Sequence, residues 1–483
     1  MIESSQGEIF QKFKPIFYPE SIAIVGTFQN EWKVSYGWVK ALIDTNFSGN
    51  IYPVNSRGGE LLGLKVYHSL TAIPETIDYV IASVSRETTP NLLDECIAKK
   101  IKAIHFFTAG FSELDDSLGH ELEEELVRKA QQGDFHIIGP NCIGTYCAEG
   151  RVPYGPRGII GEDGPVGFIS QSGGIANKLM ELGPIRGIKY NKGVSFGNGI
   201  DLDSTDFLEY MAADPKITII GAYLEGSRNG RRLLNTIRET TRTKPVIIWK
   251  GGRTEVGITA TKSHTGSLAS SAATWSAVLK QAGAIEVHSV EELTDTLLIF
   301  QQLHRWQGEG IAIVSGLANG GGGISVSASD TCAELGLSIP PLSSSTRQQL
   351  SGLLGQVGSI LHNPIDVGQY GGQPSTLKET LDIILADPII DLVLIQQDIG
   401  IILSLMPEKL VEDINNVFID FRTKQNKPIV IVLPPGDAEM KRLRIEQRLC
   451  QAAIPVFPSM ERAAKAIMNI SKYSRFQTTI TNQ

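Results

Sequence analysis

A chain of 483 residues is too long for one ordinary hydrophobic core, and its length suggests roughly three domains of about 150 residues each. Its 42% hydrophobic and 20% charged residues are those of a soluble globular protein, and a net charge of −8 offers no broad basic surface for nucleic acid. No stretch reaches the ~18 uncharged apolar residues of a membrane span, since the run from Ile389 to Leu405 is broken by Asp391 and Asp398.

The start, Met1 to Glu8, is acidic and lacks the apolar core of a secretory signal. Five scattered cysteines (Cys96, Cys142, Cys147, Cys332 and Cys450) have neither zinc nor redox spacing. A cytoplasmic protein with no metal site of its own is expected.

In the first third, apolar runs at Ser21–Gly26, Ile51–Asn55, Tyr79–Val84, Ala103–Ala109 and His136–Asn141 alternate with helix-length segments Val34–Asp44, Pro90–Lys100 and Leu118–Gln131. Short continuous apolar strands separated by helices predict a parallel, doubly wound sheet with its ligand beyond the strand C-termini. After the first strand, Gly26-Thr27-Phe28-Gln29-Asn30 lacks the second and third glycines of a dinucleotide fingerprint. Lys33 and the turn Pro53-Val54-Asn55-Ser56-Arg57 offer cations and amides to the phosphates of a nucleotide-like ligand, although ordinary βα loops account for these segments equally well. Cys142, in Gly139-Pro140-Asn141-Cys142-Ile143-Gly144, has no cationic neighbour or evident base and reads as a packed thiol rather than a nucleophile. Cys147 to Asp163, rich in glycine and proline, reads as a linker.

The second array places strands at Val166–Ser170, Lys192–Phe196, Ile217–Leu224 and Val246–Trp249, with helices near Leu179, Leu208, Leu233 and Ala272 and another from Val290 to about Leu303. Ser170-Gln171-Ser172-Gly173 is a turn of the kind that opens a helix, where free N–H groups and the dipole bind phosphate. Ser172 as a hydrolase nucleophile is the weaker reading, because Ser170 stands where the elbow motif has glycine. Glu225, in Tyr223-Leu224-Glu225-Gly226, ends a strand and is placed to accept an imidazole N–H, or else is a solvated strand end. The last strand leads to Lys262-Ser263-His264-Thr265-Gly266-Ser267, a histidine among small residues that can approach a phosphoryl group and swing away. Alone, such a loop histidine is more often a capping or solvated residue. Beyond a polar join at Arg305–Gly310, the third array runs through Ile311–Ser315, Leu392–Gln396, Ile429–Leu433 and Val456–Phe457, and carries a second glycine-rich turn, Asn319-Gly320-Gly321-Gly322-Gly323.

Taken in order, Ile51-Tyr52-Pro53-Val54-Asn55, Gly139-Pro140-Asn141-Cys142, the Ser170–Gly173 turn, Ser195-Phe196-Gly197-Asn198, Tyr223-Leu224-Glu225-Gly226, Gly251-Gly252-Arg253-Thr254 and Ser263-His264-Thr265-Gly266 resemble the nucleoside-diphosphate-forming acyl-CoA synthetases. The likeness is to the α part of ADP-forming acetate-CoA ligase, related to succinyl-CoA synthetase, and covers about Tyr18 to Ser471. It implies an α/β chain of three tandem doubly wound units: a Rossmann-like CoA-binding domain (1–148), then two flavodoxin-like ligase domains (164–304 and 310–475).

The resemblance further implies His264 as the phosphorylated histidine, Glu225 as its acid, and Ser170, Gln171, Ser172, Gly173, Asn319, Gly320, Gly321 and Gly322 as the phosphate cradle. CoA contacts are implied at Gly26, Thr27, Lys33, Val54, Asn55, Ser83, Val84, Thr108, Ala109, Asn141 and Cys142. The chain departs from the family pattern at Ser35, Ala269-Ser270-Ser271 and Ile81-Ala82-Ser83-Val84-Ser85, none of which touches the His264–Glu225 pair. No segment resembles the ATP-grasp domain, so ADP or ATP with Mg2+ is expected on a partner β chain in an α2β2-like assembly, with a small carboxylic acid or its acyl-CoA as substrate. The alternatives are a homologue serving carbamoyl transfer and a silent CoA-binding scaffold.

Overall fold

The computed structural model describes residues 2–114, 116–265, 271–303, 306–317, 321–355, 359–368 and 372–481, with the side chains of 2–6 and 262–265 outside the description. The chain divides into two compact units, Met1–Pro184 with Ile188–Leu293, and Ile185–Gly187 with Thr294–Gln483.

The first unit holds two large sheets and a small antiparallel pair, Gly59–Leu61 with Leu64–Val66. One has five parallel strands in the order Asn50–Val54, Ser21–Gly26, Tyr79–Ser83, Ala103–Phe106, His136–Ile138. The chain leaves its first strand to one side and returns on the other, so the topological switch point lies between Gly26 and Ser83, where an open α/β sheet takes its ligand. The interior strands are buried on both faces, as parallel sheets covered by helices require.

The second sheet has six strands in the order Ile285–Val287, Val246–Lys250, Ile219–Leu224, Val166–Ser170, Tyr190–Ser195, Gly144–Cys147. The last is antiparallel to its neighbour, pairing Ser195 with Gly144 and Lys192 with Cys147. This strand, and bridges from Cys147 to Val152 and from Tyr154 to Ile159, give structure to a segment that reads in sequence as the start of a linker. A helix over Ile2–Phe17, absent from the sequence expectation, packs Phe13 and Phe17 on Tyr210 at ring distances of 4.7 and 4.9 Å.

The second unit is built on a sheet in the order Ile360–Leu361, Ile365–Asp366, Ile311–Ser315, Leu392–Gln396, Ile429–Val432, Val456–Phe457, antiparallel only in its first pair. The short strands Ile360–Leu361 and Ile365–Asp366 are too brief to show a periodic pattern and were not among the expected ones. The expected strands Ala103–Ala109 and His136–Asn141 each end three residues sooner, at Phe106 and Ile138; past Ile138 the backbone leaves the extended form, with Gly139 and Asn141 at positive φ.

Candidate functional site

In the first sheet the predicted ligand-contact residues gather at the C-terminal edge. The Asn55 side-chain amide donates to the Gly26 carbonyl at 2.6 Å and its Oδ1 accepts from Arg57 N at 3.0 Å, so the second turn is tied to the first. Thr108 Oγ1 donates to Val84 O at 2.7 Å, and Asn141 N donates to Thr108 O at 2.8 Å. Gly26, Val54, Asn55, Ser83, Val84, Thr108 and Asn141 thereby form one rim, with Ala109 exposed beyond it. Thr27 and Lys33 lie in the loop between the first strand and the helix Val34–Asp44, and Lys33 is exposed. Ser35 explains Gly26: a Cβ there would collide with the Ser35 hydroxyl. Cys142 is packed beneath the rim, its Sγ 3.6 Å from the carbonyls of Phe106 and Ile138, and burial pushes its thiol pKa up. It has the environment of a structural thiol.

The second sheet brings Glu225 and the Ser170–Gly173 turn together. Gln171 Oε1 accepts the backbone N–H of Glu225 at 2.8 Å and of Gly226 at 3.1 Å, which locks the acid's turn to the start of the helix Gly173–Ile185. Ser170 Oγ donates to Ser172 O at 2.7 Å, while Ser172 Oγ accepts from Ile175 N at 3.5 Å as a helix cap. The three side chains of this turn thus shape the backbone. The groups this leaves to meet an anion are the amides of the helix start.

Glu225 is 3% exposed. Tyr223 Oη donates to its Oε1 at 3.0 Å, and burial, then the Glu225 charge, raise the Tyr223 pKa. Lys250 ends the adjacent strand in register with Leu224 and is also buried; burial lowers its pKa, opposed by the charge of Glu225. Its Nζ lies 5.4 Å from the centre of the Trp275 ring and donates to the Gly251 carbonyl. Gly251 is required, since a Cβ would strike the Tyr223 hydroxyl and stand 3.2 Å from Glu225 Cγ. Just after it, the helix Glu255–Thr265 begins, with Thr254 Oγ1 accepting from Gly257 N at 3.1 Å.

The backbone of His264 belongs to the last turn of that helix rather than to a loop, and its side chain lies outside the described residues. In the second unit, Gly321 caps the helix Gly322–Glu334, and Asn319 and Gly320 lie outside the described residues. Among the described residues no group of three or more His, Cys, Asp or Glu is arranged for a metal ion.

Three family descriptions match in succession: a CoA binding domain at residues 20–148, a succinyl-CoA ligase like flavodoxin domain at 163–300 and a Ligase-CoA domain at 313–480. The chain is 31% identical over 469 residues to acetate–CoA ligase [ADP-forming] I subunit alpha of Pyrococcus furiosus, covering 96% of this chain and 98% of that one. The chain belongs to the ADP-forming acetate–CoA ligase family. It is also 35% identical over 356 residues to the acetate–CoA ligase [ADP-forming] of Methanocaldococcus jannaschii, matching 74% of this chain and 49%, or about half, of that longer one. A solved structure of Ca. Korarchaeum cryptofilum dinucleotide forming acetyl-coenzyme A synthetase 1, in complex with phosphate and ADP, superposes with a TM-score of 0.86 at 28% identity over 97% of this chain and 98% of that one. Enzymes bearing the family's name are acid–thiol ligases.

The sequence reading missed Tyr223 and Lys250 as neighbours of the acid. Tyr223 was legible, because residues two apart in a strand point the same way. Lys250 needed the cross-strand register. No helix among the described residues is long and apolar enough to cross a membrane.

Proposed function

We propose that this chain is the α chain of an ADP-forming acyl-CoA synthetase, interconverting acyl-CoA plus phosphate and acyl phosphate plus CoA, and passing the phosphoryl group through His264 to a nucleotide-binding partner. The carrying observation is Glu225: a buried carboxylate at a strand end, locked by Gln171 to a helix start and contacted by Tyr223.

In the first step a phosphate oxygen attacks the thioester carbonyl, the C–S bond breaks, and CoA leaves as the thiol once its sulfur has gained a proton. In the second an imidazole nitrogen of His264 attacks phosphorus, and the P–O bond to the acyl carboxylate breaks. Glu225 would accept the other imidazole N–H, fix the tautomer and balance the positive charge that develops. The amides at Gly173 would hold phosphate, together with the turn Asn319–Gly322. CoA would lie on the first sheet across Gly26, Asn55, Ser83, Thr108 and Asn141, with Thr27, Lys33, Val54, Val84, Ala109 and Cys142 around it. The domain limits 1–148, 164–304 and 310–475 divide these tasks. ADP or ATP and Mg2+ belong to an ATP-grasp β chain in an α2β2-like cytoplasmic assembly. The alpha-subunit name of the Pyrococcus relative supports a separate partner. The free cysteines, all buried, are compatible with that compartment.

The test supplies the isolated chain with acetyl-CoA and radiolabelled phosphate. The expected product is an acid-labile, base-stable label on His264, lost in His264→Asn while CoA binding persists. An undiminished label in His264→Asn, carried on Ser172, would overturn the reading.

A further inference from the structure

The turn that follows Thr108-Ala109 is shaped by a carboxylate. Glu113 accepts the backbone N–H of Gly110 at 2.6 Å and of Phe111 at 3.1 Å. Close by, Glu123 accepts the Ser112 hydroxyl at 2.8 Å. A single side chain from the turn after the second-sheet strand Tyr190–Ser195 joins these two acids: Asn198 Nδ2 lies 2.7 Å from Glu113 Oε2 and 2.8 Å from Glu123 Oε1. An amide nitrogen carries two hydrogens, so one goes to each carboxylate, and hydrogen bonds to charged acceptors are the stronger kind. Asn198 Oδ1 has no hydrogen-bond partner among the described residues, which leaves the two acids as what orients the amide.

The backbone around Asn198 is held just as closely. Asn198 N donates to Pro140 O and Ile200 N to Gly139 O, both at 3.1 Å. Gly197, at φ +54°, lets the two turns meet where a Cβ would strike the Pro140 carbonyl. The carbonyls of Gly199 and Ile200 accept from Arg228 Nη1, at 3.0 Å for Gly199. Arg228 closes the turn that opens at Glu225, whose first two amides Gln171 holds. Hydrogen bonds and the short stretches of backbone between them therefore connect the turn beside Ala109 to the turn that carries the acid. The turns border one cavity of about 290 Å³, lined among others by Ser112, Gln171, Asn198, Gly226 and Arg228, so displacing one reshapes the space they share.

We infer that Asn198 is a positioning residue for the acyl-transfer step: it fixes the Thr108–Glu113 turn and the Glu225–Arg228 turn in one register, so that a thioester held by the first sheet meets phosphate held by the second. The inference rests on the proposed ligase reading. It assigns Asn198 to the step in which the C–S bond breaks and a C–O bond to phosphate forms, and not to the later transfer from acyl phosphate to histidine.

Two labelling reactions on the full chain separate those steps, one from acetyl-CoA with labelled phosphate and one from labelled acetyl phosphate without CoA. In Asn198→Ala the first rate, at saturating substrates, is expected to fall at least tenfold, with the second within twofold of wild type. Asn198→Ser, which retains one donor, stands in if the alanine variant does not fold, with an intermediate loss confined to the first reaction. A parallel fall in both reactions, or no fall in either, overturns the inference while leaving the ligase reading intact. A wild-type chain labelled by neither donor overturns both.

Discussion

The two glycine-rich helix starts share a sequence pattern but carry different electrostatic environments. At Gly173 the side chains of the turn itself, Ser170, Gln171 and Ser172, are uncharged, and Gln171 is committed to the amides of Glu225 and Gly226. At Gly321 a carboxylate crowds the turn: a Cβ on Gly321 would stand 2.9 Å from Asp366 Cγ, and one on Gly316 would collide with its Oδ1, which accepts from Gly368 N at 3.0 Å. A negative group near a helix N-terminus is itself stabilised by the dipole, so the second start already has a resident anion close to hand. Glycines in a sequence report how near a ligand or a side chain can come to the backbone. They do not report the local field.

The largest separation between the two regions is expected from the acid. Glu225→Gln keeps the shape and loses the charge, and removal of one such electrostatic group from a preorganised site typically costs 10²–10³ in rate, about 2.7–4 kcal/mol. Single-turnover labelling of His264 measures it, and a loss under threefold would place the acid outside the mechanism. Next comes Gln171→Ala, which removes the acceptor of two buried N–H groups. Unpaired buried donors cost about 1–3 kcal/mol, so a labelling loss of about tenfold is expected with CoA affinity unchanged. Equal losses of labelling and CoA affinity would show that the turn supports the fold at large.

What the sequence disclosed follows from the range of each signal. The parallel strands from Ser21 to Ser83 and from Val166 to Leu224 announce themselves as local apolar runs between turn residues, and the glycines at 173 and 321 mark helix starts that are present. The strand Gly144–Cys147 escaped because its partner, Lys192–Ser195, is distant in sequence and its flank is rich in glycine and proline. Glu225 was visible as a carboxylate at a strand end. Its companions Lys250 and Gln171 depend on cross-strand register and on a side chain turning back to the backbone, neither of which leaves a local pattern. Asp366 lies far along the chain from the turn it crowds and was missed for the same reason.

Measurements of either region against pH rest on a baseline set by His105, fully buried in the first sheet, where burial lowers its pKa to about 3. Unfolded, it titrates near the ordinary value of ~6.5. Between those values the unfolded chain binds a proton that the folded chain refuses, so stability falls as pH falls, by up to about 1.4 kcal/mol per pH unit. His105→Phe should flatten the slope of unfolding free energy between pH 6 and pH 5 relative to wild type, as read from denaturant midpoints. Identical slopes in the two proteins would mean that the imidazole is protonated inside the fold.

The smallest effect bears most directly on whether both helix starts meet phosphate. Asp366→Asn removes the resident charge without changing size, and two opposing results are expected. The helix Gly322–Glu334 loses a favourable partner for its dipole, a cost of about 0.3–1 kcal/mol in unfolding free energy. If phosphate also comes to this turn, loss of a like charge should lower the KM for phosphate by about threefold, an effect that shrinks as salt is raised because screening weakens the repulsion being removed. A stability loss with an unchanged KM would instead assign the anion to the Gly173 start alone and leave Asp366 as the internal partner of the second helix. The two measurements together distinguish a glycine turn that receives a ligand from one already satisfied by its own chain.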